Sequence, residues 1–147
     1  MNGYHETYRG HVLASERDAI GHMNIQFYLA CLSQAMQSTF SLIGVHPEDV
    51  QKTGRGFAAV DQNNRYCAEL LPGDIVHMMS ALIDYTPKSM IVNHRLYNSA
   101  TGELSFDATT TVLHFDTNKR KVISFTDDML ERLAAFKLPT EEVASND

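Results

Sequence analysis

The chain has 147 residues, which is enough for one domain with its own core. Its composition, 44% hydrophobic and 20% charged residues, is typical of a soluble globular protein. Its formal net charge of -6 disfavours nucleic acid or an anionic membrane surface as the main partner. Cys31 and Cys67 form neither a C-x-x-C pair nor a disulfide framework, and the polar start does not resemble a signal peptide. We therefore expect a cytoplasmic protein with reduced thiols.

The first predicted elements are a strand over residues 8–14 and a long helix over residues 24–43. Asn24 is a favoured N-cap residue, and Gly44 stands where a helix commonly ends in a left-handed residue. From residue 19 to residue 47 the chain contains no Lys, Arg, Asp or Glu. A helix without a charged face is usually buried on most sides. Its Asn, Gln and Ser residues make it too polar for a membrane span.

The remainder of the chain predicts mainly strands. A short helical turn begins at Pro47, and strands follow over residues 57–68, 75–85, 90–98, 104–116 and 122–125. Short turns between strands favour an antiparallel meander. Thr126 can cap a last helix over residues 127–136. Residues 139–147 are expected to form a disordered tail, which leaves residues 1–138 as a single domain.

The predicted long helix and sheet imply an oligomer. A helix of 20 residues is about 30 Å long, and one face of a sheet of five or so strands cannot cover its whole circumference. The uncovered helix surface and the outer strand edge both favour pairing with a second copy. We predict a homodimer at least.

The loop before the long helix carries the most chemistry. Asp18, His22 and Asn24 bring a carboxylate, an imidazole and a carboxamide to the helix start. Backbone amides around Asn24 and Ile25 are free donors with the positive end of the helix dipole behind them. Each side chain also has a structural explanation, since Asp18 can cap a turn, His22 can bond to the backbone and Asn24 can cap the helix. Spacing alone leaves both interpretations open.

The D-x-x-G-H-x-N-x-x-x-Y run from Asp18 to Tyr28, the uncharged helix, and the turns Leu71-Pro72-Gly73-Asp74 and Thr101-Gly102-Glu103 closely resemble one enzyme family. That family is the hotdog-fold acyl-CoA thioesterases of the 4-hydroxybenzoyl-CoA thioesterase type, and the resemblance covers residues 8–133. It implies an α+β hotdog fold, an antiparallel sheet wrapped around a long central helix. It also implies hydrolysis of an acyl-CoA, CoA binding at a dimer interface and, often, tetramers of paired dimers.

The resemblance assigns roles to individual residues. It implies that Asp18 is the catalytic carboxylate, as nucleophile or general base, and that amides at the helix start polarise the thioester carbonyl. We assign oxyanion stabilisation or substrate positioning to four further residues, His22, Asn24, Ile25 and Tyr28, although Tyr28 also suits core or dimer packing. Two departures leave the acyl group open: Phe125-Thr126 replaces a common proline, and Ile25 replaces a common polar residue.

In an acidic chain, the basic turns are the main places where the phosphates of CoA can be held. The candidate CoA contacts are Lys88, Ser89, Arg95, Lys119, Arg120 and Lys121. CoA is then part of the substrate, and we expect no separate cofactor.

Other function classes have less support. There is no G-x-S-x-G elbow, and His77, His94 and His114 on successive strands lack metal-ligand spacing, so no metal is expected. Hydratase relatives carry a D-x-N-P-x-H run, whereas here Asp18 and His22 are four apart without the proline. The alternatives that remain are a non-catalytic acyl-CoA-binding protein and, less favoured, a hydratase.

Overall fold

The computed structural model describes residues 3–139, so the predicted tail from residue 140 onward lies outside the described residues. The elements, in chain order, are β1 (His5–His11), a 3-10 turn (Ala14–Glu16), α1 (Ile25–Leu42), α2 (Pro47–Thr53), β2 (Arg55–Tyr66), β3 (Ile75–Tyr85), β4 (Ser89–Asn98), β5 (Leu104–Asp116), β6 (Lys121–Val122) and α3 (Asp127–Phe136). The predicted helices are confirmed, and the predicted strands match within a few residues.

The strands form one antiparallel sheet in the order β1-β3-β4-β5-β2, with β6 beside β5. The prediction of a simple meander is therefore wrong for β2, which pairs with β5 rather than with β3. The reason lies in the turn after β2: Val12 donates to the carbonyl of Asp74, and Gly73 donates to that of Val12. These bonds tie the turn to the end of β1, and β1 occupies the edge of β3.

The first strand begins and ends three residues earlier than predicted. The chain leaves the sheet after His11, and Glu16 accepts a bond from the amide of Leu13 at 2.7 Å, which begins the 3-10 turn. The last strand is also shorter than predicted and spans only Lys121–Val122. After β6 the amide of Ile123 still donates to the carbonyl of His114, but the amide of Phe125 donates to that of Pro87, outside the sheet.

Local capping chemistry positions the helices as the sequence predicts. The carboxamide of Asn24 accepts from the amide of Gln26 at 3.1 Å, and Thr126 accepts from the amide of Met129 at 3.2 Å. Gly44 adopts φ +89°, a left-handed conformation that glycine adopts without steric cost. These caps fix where α1 and α3 begin and where α1 ends.

Helix α1 lies on one face of the sheet, which we call the inner face, and runs closest to β1 and β3. Leu32 and Ala35 pack there against Met78, Leu96 and Phe106. The opposite side of α1 is exposed, in contrast to the prediction of burial on most sides. Three of its apolar side chains are 40–60% exposed, namely Ile25, Leu29 and Leu42. A single sheet therefore covers only one side of this uncharged helix, as the packing argument for an oligomer assumed.

A row of polar side chains crosses the core beneath α1. The hydroxyl of Thr7 lies 2.7 Å from that of Ser80, which lies 2.5 Å from Nδ1 of His94. Nε2 of His94 lies 2.8 Å from the sulfur of Met36, a residue of α1. His94 is fully buried, and burial lowers its pKa to about 3. Its imidazole is therefore neutral in the folded protein at physiological pH.

This burial predicts a pH-dependent stability. An unfolded histidine titrates near pH 6.5, so acidification below that pH favours the unfolded chain, which binds one more proton. Between about pH 7 and 5, His94→Gln should lose about 2 kcal/mol less free energy of unfolding than the wild type, at about 1.4 kcal/mol per pH unit for one proton. Urea unfolding at both pH values measures the difference. Equal losses of unfolding free energy in the two proteins would contradict a buried, neutral His94.

Candidate active site

The loop before α1 is built around the carboxylate of Asp18. Its Oδ1 accepts from the backbone amides of Ile20 and His22, at 3.0 Å each, and the amide of Asp18 donates to the carbonyl of His22 at 2.6 Å. Gly21, at φ +90°, allows the chain to turn back. Within residues 3–139, Oδ2 accepts no hydrogen bond. One oxygen of Asp18 therefore closes the loop while the other remains available.

His22 is held by a residue that the sequence analysis did not identify. Its Nε2 lies 2.6 Å from Oε2 of Glu69, which precedes the turn between β2 and β3. The amide of Met23 donates to the carbonyl of Leu70, the residue that follows Glu69. These contacts attach the loop to the chain before β3. Glu69 had no signal in the sequence because the contact joins segments more than forty residues apart.

The start of α1 leaves one backbone donor free. The amide of Asn24 donates to the carbonyl of Glu16 at 2.7 Å, and the amide of Gln26 donates to the side chain of Asn24. The amide of Ile25 has no acceptor in the part of the chain that the structure describes. Of the two donors proposed from the sequence, Asn24 is thus engaged and Ile25 is available. The helix dipole adds positive potential at this position.

Tyr28 and Cys31, one and two turns into α1, belong to the core. The Tyr28 ring packs against Tyr66 and Phe106, with ring centroids 5.1 and 5.2 Å apart. Burial raises the pKa of Tyr28 and of the Cys31 thiol. A buried thiol with a raised pKa is a poor nucleophile. The packing alternative for Tyr28 is therefore the one that this geometry favours.

The predicted CoA contacts fall into two groups. Lys88 lies in the turn before β4 and Ser89 is the first residue of β4; the amide of His114 donates to the carbonyl of Lys88, so this turn lies beside the β5–β6 turn. That second turn carries the remaining cluster of Lys119, Arg120 and Lys121. The two turns thus form one basic end of the sheet.

Arg95 lies elsewhere, on the outer face of the sheet. Its Nε is 3.7 Å from Oδ2 of Asp107, and its guanidinium lies over the ring of Tyr4. This placement separates Arg95 from the other basic candidates and gives it a structural partner.

Asp18 and the basic end are far apart in one chain. The Asp18 loop lies beside the start of β3, whereas Lys88 follows its end. At about 3.3 Å per residue, the eleven residues of β3 separate them by about 35 Å.

A pocket of about 300 Å³ lies between α1 and the part of the inner face that α1 does not cover. It begins at Leu29, one helical turn beyond Ile25. Among the described residues that line it none is charged; they are Leu29, Leu32, Ser33, Met36, Phe40, Phe57, Ala59, Gln62, Thr110 and Val112. A larger, more open groove of about 690 Å³ lies on the β1 side of α1, but its polar lining does not reach the start of the helix.

The three strand histidines do not meet. His77 lies on the outer face with Nδ1 2.7 Å from the hydroxyl of Ser99, while His94 and His114 lie inside. Across residues 3–139, no group of three or more His, Cys, Asp or Glu side chains is placed to hold a metal ion.

Comparison with known proteins identifies the family. The model of the thioesterase-like superfamily matches residues 12–133. The chain belongs to this superfamily. It is a thioester hydrolase with a hotdog fold, as the resemblance in the sequence predicted.

Individual relatives of this thioesterase are distant. It is 23% identical over 129 residues to betainyl-CoA thioesterase of Pseudomonas aeruginosa, covering 88% of this chain and 81% of the relative. It is 25% identical over 124 residues to an L-carnitine dehydrogenase/betainyl-CoA thioesterase of Rhizobium sp., covering 84% of this chain but only 25% of that protein. A hypothetical protein of Staphylococcus aureus, solved in complex with CoA, superposes with a TM-score of 0.83 at 17% identity, over 92% of this chain and 87% of the other. No helix in residues 3–139 of this thioesterase is long and apolar enough to cross a membrane.

The cap at Asn24 gives a prediction about stability at the site. Asn24→Ala removes the acceptor for the amide of Gln26, which should cost about 1 kcal/mol of unfolding free energy and loosen the Ile25 amide. Thermal unfolding measures the loss. Gln26→Ala is the matched control, because it changes the neighbouring exposed side chain without removing the cap. An Asn24→Ala protein as stable as this control would contradict the capping role.

Proposed function

We propose that this thioesterase hydrolyses an acyl-CoA to a free acid and CoA at the start of α1. One observation carries the proposal: a free carboxylate oxygen of Asp18 and a free amide at Ile25 belong to the same loop and helix start, next to an uncharged pocket. Thioester hydrolysis needs these two functions, a base or nucleophile and a donor for the developing oxyanion.

The thioester carbonyl oxygen binds at the Ile25 amide. As the carbonyl is attacked, its oxygen gains negative charge, and the amide and the helix dipole stabilise it in a site that requires no reorganisation. Loss of one such donor typically costs about 10² to 10³ in rate. The Ile25 side chain itself is exposed, so its backbone is the functional part of this residue.

Asp18 supplies the other half of the reaction by one of two routes. As a general base, it takes a proton from water, whose oxygen adds to the carbonyl carbon, and collapse of the adduct expels the CoA thiolate, which is then protonated. As a nucleophile, Oδ2 displaces the thiolate and forms an anhydride, which water cleaves to the acid and free Asp18. The geometry is compatible with both routes. His22, held by Glu69, positions the loop or the attacking water.

The separation between Asp18 and the basic end supports a site shared between two subunits. The outer edge of β2 has no partner strand among residues 3–139, and the exposed side of α1 lies above it. Antiparallel pairing of two β2 strands about a two-fold axis brings the basic end of one subunit next to the Asp18 loop of the other. We propose that Lys88 and the cluster at 119–121 hold the CoA phosphates across this interface.

The residues that line the pocket favour one class of acyl group. Both curated relatives are named for betainyl-CoA, whose acyl group is a fixed cation. Aromatic faces recognise such cations, but Phe40 and Phe57 here stack on each other with centroids 4.3 Å apart, which covers one face of each ring. Among the described residues, no carboxylate lines this pocket. We therefore propose an uncharged acyl group, with betainyl-CoA as a necessary member of any substrate panel.

The sequence left two alternatives to hydrolysis, and a substrate panel gives each a distinct outcome. A non-catalytic protein would bind acyl-CoA tightly and hydrolyse none of a panel of short, long, branched, aromatic and betainyl esters. A hydratase would act on an enoyl-CoA without releasing thiol. The free oxygen of Asp18 favours hydrolysis over simple binding.

Substitution of Asp18 tests the chemistry. Asp18→Asn keeps an oxygen for the loop bonds but removes the charge that attacks a carbonyl or accepts a proton, so kcat should fall about 10² to 10⁴ with fold and oligomer unchanged. Thiol release with the best acyl-CoA measures the rate. Asp84→Asn, on β3 away from the loop, is the matched control. Near wild-type turnover in Asp18→Asn would overturn the role of this residue.

Mixing two variants that are each impaired at low substrate tests the shared site. Lys88→Glu should raise KM more than it lowers kcat, because the contact is made in ground and transition states alike. Unmixed, Asp18→Asn and Lys88→Glu should each have little activity at low substrate. After mixing at equal amounts, about half of the dimers are hybrids with one intact site, so activity should return to about a quarter of wild type. No recovery, or a single 16.5 kDa species by light scattering, would contradict the shared site.

A further inference from the structure

One buried polar side chain in the uncharged pocket has no partner. Thr110 of β5 lines the pocket and is 2% exposed. Its hydroxyl makes no hydrogen bond within the described part of the chain. Buried hydroxyl groups are nearly always paired, and each exception requires an explanation.

The surrounding wall supplies no partner and no charge. Gln62, the residue of β2 that faces Thr110, donates its side-chain amide to Asn64 at 3.0 Å. Ser33 lies on the exposed side of α1. The other lining residues are mostly apolar: Leu32 and Met36 lie across the pocket on α1, and Val112 follows Thr110 on the same face of β5. A valine would fill this position equally well without burying a polar atom.

The hydroxyl can turn into the pocket. Rotation about the Cα–Cβ bond of threonine exchanges its hydroxyl and methyl positions among staggered rotamers. A ligand in the pocket would then supply the partner that the protein lacks.

We propose that Thr110 hydrogen-bonds the acyl group, so that this enzyme prefers acyl groups that carry a hydroxyl or carbonyl on an otherwise apolar, uncharged chain. This inference rests on the proposed function, because it assigns the pocket to the acyl part of an acyl-CoA. The volume of about 300 Å³ holds about ten water-sized groups at about 30 Å³ each.

The position of Thr110 also fixes where the polar group lies. Phe106 of β5 contacts Tyr28 near the start of α1, and Thr110 follows it by four residues, or about 13 Å along the strand. The hydrogen-bonding group is therefore remote from the thioester, toward the far end of the acyl chain.

The test compares one substrate pair in four proteins. The pair is decanoyl-CoA and ω-hydroxydecanoyl-CoA, and the readout is the ratio of their kcat/KM values. The wild type should favour the hydroxylated ester by about tenfold, because a pocket built to bond a hydroxyl leaves its own polar group unpaired with the plain chain. Thr110→Val should remove this preference and Thr110→Ser should retain it.

Thr111→Val is the matched control, since Thr111 is the next residue of β5 and faces the outer side of the sheet. Its ratio should equal that of the wild type. A wild type that hydrolyses both esters without preference, or a preference that survives in Thr110→Val, overturns this inference and leaves the proposed function intact. A wild type that hydrolyses no CoA ester overturns both.

Discussion

Helix α1 has eighteen residues and no charged side chain, and the need to cover it governs the rest of the molecule. The inner face of the sheet buries one side, where Leu32 and Ala35 join the core. The opposite side remains exposed at Ile25 and Leu29. This partial cover leaves room for a pocket beside the helix and leaves exposed the apolar surface on which we propose that a second subunit packs. The start of the same helix provides the free amide to which we assign the chemistry.

Asp18 links local structure to the proposed function, because its carboxylate has one oxygen for each. Its Oδ1 holds the loop closed through the amides of Ile20 and His22, while Oδ2 accepts no hydrogen bond among residues 3–139. In the proposed reaction, the group that organises the loop is also the group that reacts, so it needs no separate scaffold to orient it. It also explains why the spacing of residues did not distinguish the structural from the catalytic interpretation: the residue is suited to both.

Features set by neighbouring residues were predictable from the sequence. Asn24, Gly44 and Thr126 mark helix ends through side-chain or backbone chemistry within a few residues, and the structure confirms all three. Features that depend on distant residues were not predictable. The pairing of β2 with β5, the contact between His22 and Glu69, and the engagement of Arg95 with Asp107 each join segments whose proximity only the fold determines. The sequence does not distinguish Thr110 from other strand threonines, because only the structure shows that its buried hydroxyl has no hydrogen-bond partner among the described residues.

The central claim is that the thioester carbonyl binds at the free amide of Ile25. The most direct test is an NMR titration of the ¹⁵N-labelled protein with two non-hydrolysable acyl-CoA analogues, a ketone in which a methylene replaces the thioester sulfur and a thioether that lacks the carbonyl. The account predicts that the ketone moves the Ile25 amide proton downfield, as a new hydrogen bond does, and that the thioether does not. An Ile25 resonance that responds to neither analogue while other amides report saturation would contradict it.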